Sequence, residues 1–254
     1  MESGEQQPFY TKEESRGSLM NSMYKQEVQK YGKKDAFIAI GVALFFTIWS
    51  GLMAGLQPFR FFWAALPIDW QSAPFAVRQL PWTIEKFLGS AVLVFIILLI
   101  RKQGISSIGI HTKNLRKALC LVLLFSVAPL FFSVIVPGFI APGFAYGEAF
   151  VGIGIFMLGL FIQFTMAASE DILYVGFLQT RMHGLFKSDL AATSASAALF
   201  ALMHVPAWTI TGMISTDALA FMGVMLIVWF AMHFVMVALF KRLSPLLQLW
   251  CSIP

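Results

Sequence analysis

Two acids stand side by side in an otherwise uncharged apolar run. They are Glu170 and Asp171, within Ala149–Thr180. An ionisable group in hydrocarbon costs at least about 2.5–3.5 kcal/mol, so such a pair points to function by default. On a regular helix one face runs Glu170, Tyr174, Phe177, Arg181, and the next runs Asp171, Val175, Leu178, Met182. Neither acid has a cation one turn above it. Each must find a partner on another helix, bind water, or stay protonated. The plainer reading is a buried, hydrogen-bonded acid that sets helix packing.

A histidine, His204, closes the run Phe200-Ala-Leu-Met-His204 and carries Phe200 on its own face. Glu170 and His204 lie about 17 and about 16 residues from the turn near Lys187 and Ser188, so at about 1.5 Å per residue they reach the same depth. A carboxylate facing an imidazole can activate a water. The acid serves as base, and the imidazole holds water, an oxyanion or a metal. The same count sets His233 apart from His204 by about 20 Å. His233 joins them only if its helix or that of His204 is broken, or if Pro206 starts a re-entrant segment. His111 and His183 sit beside bases in connecting segments, where an exposed role is expected.

The elements that must position these groups follow from composition. The 254 residues are 58% hydrophobic and 12% charged, against about 25% charged for a soluble domain. This excludes an ordinary cytosolic enzyme, a disordered chain and a nucleic-acid binder, despite a formal charge of +5. Residues 1–35 hold six acids and six bases, almost half the acids of the chain, and form a polar tail. The expected fold is an all-α polytopic membrane protein. Six spans are expected within Ala36–Phe59, from near Pro81 to Ile100, then within Ala118–Tyr146, Ala149–Thr180, Leu190–Thr216 and Ala218–Phe240. A C-terminal helical stub comes next, from Leu243 to Pro254. Glu85 and Lys86 then fall one turn or less into span two. The small residues Ala191 to Ala198 let span five pack closely on span four.

Bases cluster before span one and after spans two, four and six, which sets both termini on the cytoplasmic side. The aromatic loop Gln57–Lys86 is expected along the interface. Gly51-Leu-Met-Ala-Gly55 is a literal GxxxG that could receive another helix. Cys120 and Cys251 make no metal or disulfide pattern. Cys251-Ser-Ile-Pro254 matches a prenylation end only superficially, because proline is outside the usual final residues.

At these residues the sequence resembles the CPBP family, the CAAX protease and bacteriocin-processing or Abi proteins. The resemblance runs from about Ile105 to Phe240. Its first motif is two glutamates, three residues and arginine, commonly followed by Gly-Phe-Leu-Gln. Here it reads Glu170-Asp171-Ile-Leu-Tyr-Val175-Gly176-Phe177-Leu178-Gln179. Its second, Phe and three residues then His, is Phe200 to His204. The segment Gly104 to Ile110 is also similar. The departures are Asp171 for the second glutamate, Val175 for the arginine, and His233-Phe-Val-Met-Val237, which lacks the polar partner of the third motif.

The resemblance implies an intramembrane endopeptidase, with a tail over 1–35 and a helical transmembrane domain over 36–254 whose family-like core spans about 105–254. Glu170 would activate water, and His204 would bind that water or the oxyanion. Asp171 and His233 complete the candidate set. Family members are described as glutamate-type or metal-dependent. A divalent metal such as zinc, if used, would sit at Glu170 and His204. The expected partners are membrane lipid and a membrane-associated peptide or protein, with no nucleic acid, in a bacterial plasma membrane. The rival is a catalytically degenerate member acting as a membrane scaffold or bacteriocin-immunity protein. A transporter using the acids as a proton relay is a weaker third reading, because the spans have no inverted repeat.

Overall fold

A segment that crosses a bilayer must satisfy its own backbone, and a helix does so internally. The computed structural model describes residues 24–55, 60–70, 72–109, 153–210 and 219–249, and these form helices and turns with no strand among them. The helices are α1 (Lys33–Gly55), the short α2 (Arg60–Ala64), α3 (Phe75–Phe87) and α4 (Leu93–Ile100). After them come α5 (Ile153–Asp171), α6 (Gln179–Met182), α7 (Asp189–Leu202), α8 (His204–Ile210) and α9 (Leu219–Leu249). Two π-helical turns, Leu88–Val92 and Ile172–Leu178, join α3 to α4 and α5 to α6 without a break.

Among the described residues, five helices are long and apolar enough to cross a membrane. They are Lys33–Met53, Ala76–Ile100, Met157–Met182, Asp189–Ile210 and Met222–Lys241. The span expected within Ala118–Tyr146 lies outside the described residues, as does His111. Two boundaries differ from expectation. The second crossing begins at Ala76, with Pro81 inside α3. Glu85 and Lys86 are therefore near mid-span instead of at its edge. The C-terminal stub is not separate either, since α9 continues to Leu249.

Apolar residues from several helices make one core. It gathers Phe46 of α1, Leu98 of α4, Leu173, Tyr174 and Phe177 of the second π turn, and Phe200 of α7. The small-residue face of α7 does pack on the fourth predicted span. Ser196 Oγ donates to the Tyr174 carbonyl at 3.2 Å, and Gln179 Nε2 donates to Thr193 Oγ1 at 3.0 Å. Gly51 is occupied within the chain: a Cβ there would fall 2.7 Å from Pro206 Cβ of α8.

One end of the bundle is polar. Arg101 pairs with Asp35 at 2.7 Å, and Lys241 with Asp189 at 2.5 Å. Part of the polar tail docks here, because Tyr24, Val28 and Tyr31 are buried. Arg181, expected in a connecting segment, is instead enclosed. Its guanidinium donates to Gln103 Oε1 at 2.7 Å, Ser107 Oγ at 2.9 Å and Thr180 Oγ1 at 2.7 Å, and it lies over the rings of Tyr31 and Phe177. Burial pushes the Tyr31 hydroxyl up to about 12, although Arg181 opposes this. The tight approach that closes this end needs glycine. A Cβ at Gly176 would meet the Ile108 carbonyl oxygen at 2.8 Å.

Candidate active site

The site begins where two helices change pitch. Lys86 precedes the π turn Leu88–Val92, and Glu170 precedes the π turn Ile172–Leu178. A π turn adds a residue to the helical ladder and rotates the residues beyond it, and such turns recur at functional sites. The two turns pack against each other, and α3 packs along α5. Lys86 Nζ thereby reaches Oε1 of Glu170 in an ion pair. Their side chains are 12% and 16% exposed, so neither belongs to a solvated surface. The partner required for Glu170 does come from another helix. Sequence reading missed Lys86 because span two was started too late. An uninterrupted apolar run from Phe87 to Ile100 directly behind Glu85 and Lys86 was the available signal. Glu85 is also buried and accepts from Trp63 Nε1 at 2.6 Å.

His204 is placed by a break. The α7 helix ends at Leu202, and α8 restarts at His204 and turns toward α1. Nδ1 of His204 lies 3.2 Å from the Phe200 carbonyl and 3.4 Å from that of Ala201. Nδ1–H therefore donates, and Nε2 keeps its lone pair. The ring stacks on Trp229 of α9, with centroids 4.5 Å apart and planes 6° apart, and meets Phe200 edge-on at 5.5 Å. Phe200 also meets Tyr174 edge-on at 5.3 Å, four residues on from Glu170, so α7 seats His204 beside the helix of Glu170.

Asp171 is half-buried beside Glu170 and makes no ion pair or hydrogen bond among the described residues. His233 is buried against Phe200, with ring centroids 5.4 Å apart, and its Nε2 has no partner among the described residues. The expected offset of about 20 Å between the two histidines does not hold, because α7 packs against α9 and sets Phe200 against both rings. Tyr174 and Trp229 also meet Phe200, at 5.3 Å and 6.1 Å between ring centroids, and Trp229 Nε1 is buried without a partner among the described residues. His183 is not part of this cluster. It lies at the polar end, near Tyr24 Oη at 3.3 Å and Asp189 Oδ1 at 3.4 Å.

A catalytic zinc needs three protein ligands and an open position. Among the described residues no three His, Cys, Asp or Glu side chains come together in that way. Glu170 also carries an ammonium where a metal would bind. These residues do not fit a resident divalent metal.

Residues 152–252 match the family described as type II CAAX prenyl endopeptidase, Rce1-like. The match covers less than half of the chain, and over it the chain is similar to that family. Neither curated proteins nor solved structures gave a match. The matched segment carries Glu170, Asp171, His204 and His233, on α5, α8 and α9. Lys86 lies outside it. The family resemblance read from the motifs is thus supported independently over residues 152–252, and five helices among the described residues are long and apolar enough to cross a membrane.

Proposed function

We propose that this chain is an intramembrane endopeptidase in which Glu170 is the general base and His204 orients the attacking water. The observation that carries the reading is that Phe200, whose carbonyl takes the Nδ1–H of His204, packs on Tyr174, four residues on from the ion-paired Glu170. Nε2 can then accept a hydrogen bond from water, while Glu170 removes the other proton. The resulting hydroxide adds to the peptide carbonyl. The proton held on Glu170 passes to the leaving nitrogen as the C–N bond breaks. The substrate class is a membrane-associated peptide or protein, reached through lipid. The bases at the polar end support a cytoplasmic placement of that end.

A second reading has its own support. The ion pair from Lys86 is what a packing acid needs, and Val175 occupies the position where the resemblance expects arginine. Under it the chain is a non-catalytic scaffold or immunity protein. The deciding experiment compares new protein N termini in cells making wild type or Glu170→Ala at equal level. Cleavage sites confined to wild type and lost in His204→Ala are expected. Identical profiles, with the wild-type phenotype retained, would overturn the peptidase reading.

A further inference from the structure

Lys86 is not a surface lysine that happens to meet an acid. It lies within the crossing Ala76–Ile100, roughly 14 residues or about 21 Å from its polar end. Glu170 is roughly 12 residues from Met182, about 18 Å, and His204 roughly 15 from Asp189, about 22 Å. Three polar groups from three crossings therefore share one layer.

The groups acting on Glu170 are Lys86 from α3, His204 from α8, and Asp171 and Tyr174 from its own helix. Of these, Lys86 is the basic side chain that meets Glu170 in an ion pair, and Asp171 is a second acid next to it. A carboxylate in such surroundings without a cation takes up a proton and ceases to be a base. Lys86 engages Oε1, and Oε2 makes no hydrogen bond among the described residues. One oxygen is anchored and the other is open to water.

We propose that Lys86 is a positioning residue, holding Glu170 as the carboxylate with one oxygen anchored and the other free to accept a proton. It acts through Glu170 and does not touch substrate. Its consequence for cleavage rests on the peptidase reading, whereas its effect on Glu170 does not.

Two readouts separate these. The first is infrared difference spectroscopy of the full chain in lipid nanodiscs at neutral pH. A gain in the protonated-carboxyl band over wild type is expected in Lys86→Met, and no such gain in Lys86→Met/Glu170→Gln or in Lys86→Arg. The second is the yield of Glu170-dependent N termini. It should fall at least about 100-fold in Lys86→Met, the scale of a lost general base, and stay within about tenfold in Lys86→Arg, which keeps the charge. If Lys86→Met is not recovered folded, Lys86→Gln replaces it.

A Lys86→Met spectrum identical to wild type overturns the proposal. So does equal loss of cleavage in the Met and Arg variants when both are folded, because that pattern belongs to packing. If wild type yields no Glu170-dependent N termini, the peptidase reading falls, and the infrared band still decides the role of Lys86.

Discussion

At the residue scale the site divides into groups that are satisfied and groups that are not. Nδ1 of His204 and Oε1 of Glu170 are engaged, while Nε2 of His233 and Nε1 of Trp229 are buried and unpaired among the described residues. General acid–base groups contribute about 10²–10⁴-fold. Glu170→Ala and His204→Ala should each lower cleavage by that order, scored on peptides copied from the wild-type cleavage sites. His233→Phe should behave differently. Removing a buried unpaired polar atom is neutral or stabilising by about 1–3 kcal/mol, so the melting temperature in detergent should hold or rise. A fall in cleavage in that variant would assign His233 to chemistry, and unchanged cleavage would assign it to packing against Phe200.

At the element scale, helix packing decides what meets what. α3 packs along α5 and brings Lys86 to Glu170 just ahead of the two π turns, and past the break at Met203 α8 packs onto α1. The contact of Gly51 with Pro206 holds that second arrangement, so Gly51→Leu must push α8 outward. Overpacking of this kind costs about 1–3 kcal/mol. The expected result is a lower melting temperature together with reduced cleavage, since His204 is the first residue of α8. Gly41→Leu is its control, because among the described residues nothing lies within 4 Å of a Cβ at Gly41. Equal effects of the two substitutions would refute this account of α8.

At the scale of the whole molecule, the polar end ties the tail to the bundle through a pH-sensitive contact. Burial holds the His183 imidazole below its ordinary 6.5, against the pull of Asp189. The folded protein keeps His183 neutral, while the unfolded chain protonates it near pH 6.5. Its contribution is therefore complete above that pH and is lost as pH falls below it. The melting temperature should decline between about pH 6.5 and 5, and His183→Gln should flatten that decline. Glu27 adds a second acid-side loss. Burial raises it, but bonds from Lys30 and Tyr31 more than offset this and leave it below the carboxylate range.

A helical, membrane-embedded chain was legible in composition alone, because residues this apolar and this poor in charge cannot cover a soluble surface. The similar depth of Glu170 and His204 was legible as well, because depth can be counted along helices. So were the charges at the helix ends, except Arg181, whose burial depends on Gln103 and Ser107 from a distant segment. That Lys86 faces Glu170, that Gly51 receives Pro206 and that His233 lies beside Phe200 emerged only with the tertiary structure. Each of these depends on which helices pack together: α3 on α5, α1 on α8 and α7 on α9. Regular periodicity marks which face of a helix is apolar and contains no sign of which helix covers it.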